Sequence, residues 1–196
     1  MKLLIAFLCI TVSTSQTPPE RPVISETFSS MTDIESHEPG RVLFGEGIWD
    51  MDYQGNKAVE NYTLREEGPS RRVLNLQRYD MGEVYEINAY GHNQCSHREV
   101  TGHIVSVFGF LEQAEYMGII PFRNHDFEFW KYSAGGFILE LGVDEEDRNR
   151  PAVLRRHHAG GDTVIYFREF NSTTPTASVF EIPPDCRETL NTVQQL

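Results

Sequence analysis

Asp50-Met51-Asp52-Tyr53-Gln54-Gly55 is the stretch whose spacing comes nearest to a metal-binding loop. Acids at its first and third positions, a polar residue at the fifth and Gly at the sixth match the opening of a calcium-binding EF-hand loop, where oxygens converge around a sharp turn. The twelfth position calls for a bidentate Glu; it is Asn61, and Glu60 falls one place short. Both flanks read as strands, so the pattern favours a polar hairpin turn tightened by Gly55. A second acidic stretch, Asp144-Glu145-Glu146-Asp147, could hold Ca2+ weakly on a loop. Charge runs of this kind are more often simply solvated.

Histidines suggest a metal less well than their number implies. His92, His97 and His103 lie around one expected hairpin, and His157-His158 follow Arg155-Arg156. Adjacent residues of a strand point to opposite faces, so His157 and His158 do not easily share one ion. The Arg155-Arg156-His157-His158 cluster is the basic patch of an acidic chain, and an anionic headgroup is the ligand it would receive. The sequence contains no Gly-x-Ser-x-Gly elbow, His-Glu-x-x-His helix, Cys-x-x-Cys pair or phosphate-cradling Gly loop. The expectation is a protein without catalytic residues and without a cofactor.

Several features point to the secretory pathway. Lys2 precedes an apolar run from Leu3 to Val12, and Ser13-Thr14-Ser15 supplies the small residues that a signal peptidase accepts, which places the cut before Gln16. The run is about half the roughly 20 residues that a membrane span needs. Later apolar runs are broken by charge or Gly, so no membrane span is expected. Cys9 lies in the signal segment, leaving Cys95 and Cys186. In an oxidising compartment an even pair reads as a disulfide, the other arrangement being a bond from each thiol to another chain. Asn61-Tyr62-Thr63 and Asn171-Ser172-Thr173 are glycan acceptors in that setting. The net charge of −12 disfavours nucleic acid and anionic membrane surfaces as partners.

The elements that would position these residues are mostly strands. Short segments rich in β-branched and aromatic residues run over Val42–Met51, Val59–Leu64, Arg72–Tyr79, Glu83–Tyr90, Cys95–Val100, Phe127–Tyr132, Phe137–Val143, Ala152–His158, Thr163–Phe170 and Ala177–Ile182. Turn signals separate them: Gln54-Gly55-Asn56, Glu67-Gly68-Pro69, Asp80-Met81-Gly82, Gly91-His92-Asn93, Gly135-Gly136 and Gly160-Gly161-Asp162. Val105 and Val107 also alternate with Ile104, Ser106 and Phe108. Good helix formers from Leu111 to Met117, stopped by Gly118, predict one helix. Phe28, Met31 and Ile34 have helical spacing and suggest a short second one within Ser25–Ile34.

Gly47-Ile48-Trp49 is a Gly-x-Trp of the lipocalin type, but the chain closes on Val179-Phe180-Glu181-Ile182 and Pro183-Pro184-Asp185-Cys186 rather than on a helix and short strand. Tyr85-Glu86-Ile87 followed by Gln94-Cys95, together with that closing Phe-x-x-Pro-x-x-Cys, resembles ependymin-related proteins. The likeness extends from about Phe44 to Cys186 and is nearer to the two-cysteine invertebrate members, since the further cysteines of vertebrate members are lacking. The resemblance implies a mainly β fold of two curved antiparallel sheets, a half-barrel like that of bacterial lipoprotein carriers (LolA-like), with an apolar cavity. It also implies secretion, lipid binding, calcium or matrix association and, for some members, a homodimer.

The chain is therefore expected to comprise a signal peptide (residues 1–15), an N-terminal arm with a short helix (16–40), one β domain (41–186) and a polar tail (187–196). Its expected work is to carry a fatty acid or other lipid, non-enzymatically, outside the cell or in endolysosomal compartments. Phe44, Leu74, Leu76, Tyr85, Ile87, Val105, Val107, Trp130, Ile138, Ile165 and Phe167 are the expected cavity lining. An extracellular matrix or calcium-associated glycoprotein, including one of a biomineral matrix, is the alternative function, and a lipocalin-type carrier a lesser one.

Overall fold

The computed structural model describes residues 18–65, 70–90 and 95–187. The expected signal peptide, most of the polar tail, His92 and the turns at Glu67-Gly68-Pro69 and Gly91-His92-Asn93 lie outside the described residues. Within them run β1 (Thr27–Glu38), β2 (Arg41–Asp52), β3 (Lys57–Arg65), β4 (Arg71–Arg78), β5 (Glu83–Tyr90) and β6 (Cys95–Glu99). A crossover, residues 100–114, leads to β7 (Glu115–Phe122), β8 (His125–Ala134), β9 (Phe137–Val143), β10 (Pro151–His158) and β11 (Gly161–Asn171). All eleven join one antiparallel sheet in the order β6-β5-β4-β3-β2-β1-β11-β10-β9-β8-β7. Two meanders are thus zipped together where β1 pairs with β11. The result is the mainly β half-barrel expected from the sequence, built as a single curved, unclosed sheet. A lipocalin barrel is closed, and β6 and β7 end this sheet unjoined, so the lipocalin alternative falls.

Hairpin geometry follows local chemistry. The β8–β9 turn needs two residues at positive φ, which Gly135 (59°) and Gly136 (84°) supply without a Cβ clash. After β2, the Gly55 amide donates to the Asp52 carboxylate at 2.8 Å, which fixes the hairpin turn.

Four local expectations are corrected. The spacing of Phe28, Met31 and Ile34 belongs to strand β1, where Phe28, Ser30, Thr32 and Ile34 alternate inward and Met31 faces out, so the sheet reaches well into the segment expected as an arm. The helix formers after Leu111 give only a 3-10 turn, Gly109–Gln113, because pairing with β8 takes Glu115 onward into β7. Val179-Phe180 lies in another 3-10 turn, Ala177–Phe180, and Val105 and Val107 lie in the irregular crossover rather than in strands.

Register assigns each residue to a face. The inner face carries Phe28, Ile34, Leu43, Trp49, Met51, Leu64, Trp130, Leu141, Leu154, Ile165 and Phe167, all buried. The crossover packs Ile104, Phe108, Leu111 and Ala114 onto it. Phe28 touches the rings of Trp49 and Phe108 at 5.7 Å and of Phe170 at 5.0 Å. Glu26 holds the crossover in place by accepting from the Ser106 hydroxyl and from the amides of Val107 and Phe108, both at 2.9 Å. Arg21 adds donations to the carbonyls of Glu112 at 2.7 Å and Ala114 at 3.1 Å.

The outer face of β3 to β6 holds a second core of Val59, Leu74, Leu76, Tyr85, Ile87 and Cys95. The C-terminal segment covers it with Phe180 and Cys186 and is bonded there by the Cys95–Cys186 disulfide, so the intramolecular pairing is the one formed. Arg72–Asp185 at 3.1 Å and Arg78 donating to the Phe180 carbonyl at 2.8 Å fasten it further.

Candidate functional site

The curvature of the sheet creates a groove on the inner face. Arg156 of β10 and Glu60 of β3 lie four strand positions apart, yet their charged groups approach to 3.8 Å. In a flat sheet those backbones would be about 19 Å apart. The Arg156 guanidinium also rests 4.7 Å over the Trp49 ring. Gly45 and Gly47 let β2 and β3 approach closely at this bend. A Cβ on Gly47 would stand 2.3 Å from the Asn61 carbonyl oxygen, and one on Gly45 2.6 Å from that of Thr63. This gives the Gly47-Ile48-Trp49 stretch its structural role.

Beyond the ion pair the groove widens into a recess of about 310 Å3. Ile34, Leu64, Val73 and Tyr62 form its apolar part, while Ser36, Glu38, Arg71, Asn88, His158 and Thr163 supply polar groups. On the other side of the pair a second recess of about 240 Å3 lies between Trp49, Leu139 and Leu154 of the sheet and Val105 and Val107 of the crossover. The crossover therefore roofs one half of the groove and leaves the other open.

Glu38 sits between two guanidiniums at the edge of the larger recess. Glu38 accepts from Arg71 at 2.9 Å and from the Arg41 Nε at 2.9 Å. The Arg71 hydrogen bond, against the opposing effect of burial, holds the Glu38 carboxyl below its usual value. Tyr62 lies among Glu60, Arg156, Arg71 and Glu38; burial, reinforced by the Glu60 charge, pushes its phenol up to about 12.

The structure divides the eleven expected lining residues. Trp130, Ile165 and Phe167 belong to the inner core, and Val107 packs against it. Leu74, Leu76, Tyr85 and Ile87 lie on the opposite face under the C-terminal segment. Ile138 is on the outer face, partly buried, while Phe44 (54%) and Val105 (80%) are exposed. None of the eleven lines the larger recess; Val105 and Val107 line the smaller.

The other candidates separate as well. Asp50 is buried, its Oδ1 lacks a hydrogen-bond partner, and burial raises its pKa despite a hydrogen bond from Ser29. Asp52 is engaged by the Gly55 amide and by Lys57 at 3.5 Å. Asp144, Glu145, Glu146 and Asp147 are exposed on the loop after β9, where the Asp144 side chain accepts from the Glu146 amide at 3.0 Å. Among the described residues no group of three or more His, Cys, Asp or Glu is arranged to hold a metal ion.

The Arg155–His158 cluster does not form one patch, because strand alternation splits it. Arg155 faces outward between Phe122 (4.1 Å) and Glu140 (3.3 Å), and His157 meets Asp162 at 3.0 Å, while Arg156 faces inward. His97 stacks on Tyr85, whereas His103 meets the Tyr53 ring edge-on. Asn171 is exposed at the end of β11, whereas Asn61 sits partly buried in the middle of β3.

Sequence reasoning missed Tyr62, Glu60, Leu64 and Val73. The available signal was the Gly45-x-Gly47 spacing, which marks one strand face where a neighbour comes close.

No family model and no curated protein matches the chain. Solved structures with similar folds include an uncharacterized conserved protein from Thermus thermophilus, 14% identical over 82% of this chain and 88% of that one, with a TM-score of 0.40. A chain of the Pseudomonas aeruginosa MucA/MucB complex is 11% identical over 82% of this chain and 56% of its own length, with a TM-score of 0.41. A domain named for outer membrane lipoprotein sorting, from Vibrio parahaemolyticus, is 8% identical over 79% and 88%, with a TM-score of 0.35. The half-barrel itself is read from the strand order of this chain.

Proposed function

We propose that this chain is a secreted, non-enzymatic glycoprotein that carries a fatty acid or other lipid in the inner groove. The observation that carries this reading is the recess of about 310 Å3, with Ile34, Leu64 and Val73 as its apolar part and hydrogen-bonding groups around it. That volume lies at the lower end of the roughly 300–1,000 Å3 typical of ligand pockets, which suits one acyl chain rather than a bulky lipoprotein. Each methylene withdrawn from water there contributes about 0.8 kcal/mol before ordering costs. The signal-peptide pattern, the sequons and the ependymin-like motifs support secretion and carriage. Among the described residues no helix is long and apolar enough to cross a membrane.

Native mass spectrometry of the secreted glycoprotein, with lipid analysis of its organic extract, tests the reading. The expected result is a co-purifying lipid, or uptake of one equivalent of added fatty acid or other single-chain lipid. A protein that is empty as secreted and rejects every such lipid would sink it. Heat uptake with Ca2+ in calorimetry, without any lipid bound, would favour instead a calcium-associated matrix glycoprotein using the exposed Asp144–Asp147 run.

A further inference from the structure

The Glu60–Arg156 pair divides the inner groove as well as spanning it. On β3, Tyr62 and Leu64 follow Glu60 at two-residue steps on the same face, and on β10 His158 follows Arg156 in the same way. Tyr62, Leu64 and His158 line the larger recess, whereas Glu60 and Arg156 themselves line the smaller one. The pair therefore stands at the boundary between the two.

The floor under the pair is filled. The Arg156 guanidinium rests 4.7 Å over the Trp49 ring, and that ring stacks on Phe167 at 5.9 Å. Both rings are buried in the inner core. An acyl chain laid along the groove from the larger recess thus meets the two charged side chains end-on. To go further it must part them or turn outward into water. Parting them takes each charge from its partner and sets methylenes against both, with no hydrogen bond in return. Turning outward forfeits the burial that binds the chain.

The volumes translate into a length. If a methylene fills about as much space as a water molecule, roughly 30 Å3, the larger recess of about 310 Å3 takes about ten carbons. On the same scale the smaller recess of about 240 Å3 takes about eight more.

Resting on the carrier reading above, we infer that the Glu60–Arg156 pair is a chain-length stop, which fits the groove to a single acyl chain of about ten carbons. Arg156 is the residue that determines this specificity, since it both meets Glu60 and covers Trp49. Without its guanidinium the two recesses join, and a longer chain continues over Trp49 toward Leu139 and Leu154.

The test is a native mass spectrometric titration of the delipidated, secreted glycoprotein with the saturated fatty acids from octanoate to octadecanoate and with the matching monoacylglycerols, each below its micelle-forming concentration. In wild type, affinity is expected to rise about fourfold per added methylene up to about ten carbons and then to level off. The break is expected at the same length with either head, because the stop acts on the tail. In Arg156→Ala the rise is expected to continue through hexadecanoate, raising its affinity relative to decanoate by about tenfold or more over wild type. The wild-type break needs no variant, so it stands as a readout even where Arg156→Ala perturbs folding. Affinity that keeps rising from decanoate to octadecanoate in wild type, a break that moves with the head, or an unshifted break in Arg156→Ala overturns the inference while the carrier reading survives. Failure of wild type to bind any member of either series overturns both.

Discussion

Arg156 and Glu60 close the half-barrel across its inner face, meeting at 3.8 Å from strands that have three others between them. Both side chains are partly exposed, at 33% and 21%, so water screens the attraction. A double-mutant cycle of Arg156→Ala and Glu60→Ala, read by urea unfolding, should give a coupling of about 0.5–1 kcal/mol that declines in high salt. Zero coupling at low salt would mean that the curvature is held by packing alone. Arg156→Ala should cost more than Glu60→Ala, because it also removes the guanidinium from the face of Trp49.

Gly47 makes a sharper prediction. Its missing Cβ leaves room for the backbone of β3, and a methyl group there would meet the Asn61 carbonyl at 2.3 Å and the Tyr62 Cβ at 2.4 Å. A carbonyl in a paired strand cannot swing aside as the end of a side chain can. Gly47→Ala should therefore destabilise by on the order of 3 kcal/mol. Gly40→Ala is the control: nothing lies within 4 Å of its would-be Cβ, and only its φ of +82° opposes the change. It should cost about 1 kcal/mol. Equal midpoints for the two variants in denaturant would contradict close approach as the reason for Gly47.

Strand existence was largely legible in the sequence, whereas strand face was not. Leu74 and Leu76 alternate in the same way as Ile165 and Phe167, and alternation reports only that one side of a strand is covered. It does not say whether the cover is the crossover, as over Phe167, or the C-terminal segment, as over Leu76. That distinction depends on a contact between β6 and the chain terminus, 91 residues away at the disulfide. Phe28, Met31 and Ile34 misled for a related reason: three apolar residues fit a helical stripe, and only the pairing of β1 with both β2 and β11 shows that Met31 faces out. The Asp52–Gly55 turn was readable because its chemistry is local. The groove was not, because Tyr62, Glu60 and Arg156 come together only through the curvature of the whole sheet.

Asp50 should make stability depend on pH in the direction opposite to an ordinary surface carboxylate. It is 2% exposed, and burial raises its pKa above the usual 3.8. Between the unfolded and folded pKa values the native state binds the extra proton, so stability is fullest below the unfolded value and falls as pH rises through the folded one. Asp50→Asn removes the charge and keeps the shape. It should stabilise the protein at pH 7 by about 1 kcal/mol, and the gain should vanish as pH falls through the raised pKa. Glu38 behaves oppositely: its lowered pKa contributes stability above the unfolded value that is lost as pH falls through the folded one. Chemical denaturation of wild type and Asp50→Asn across pH 3 to 8 separates the two; a variant less stable than wild type at pH 7 would refute the account of Asp50.

Replacing Cys95 and Cys186 together by Ala should weaken one face of the sheet and spare the other. The bond joins the edge strand β6 to the terminal segment across a separation of 91 residues, for which loop-closure entropy sets an upper contribution of about 4–5 kcal/mol. What it directly holds is the cover over Leu74, Leu76, Tyr85 and Ile87. Phe28, Trp49 and Leu154 pack on the opposite face, beneath the crossover that Glu26 and Arg21 retain. Hydrogen exchange should therefore quicken in β4, β5 and β6 well before it quickens in β1, β2 and β11. Lipid uptake should persist in the variant under conditions where it remains folded, because the groove lies on the inner face. Loss of lipid binding with the inner strands still protected would place the ligand under the C-terminal segment instead, against Leu76 and Tyr85, and move the site to the other side of the sheet.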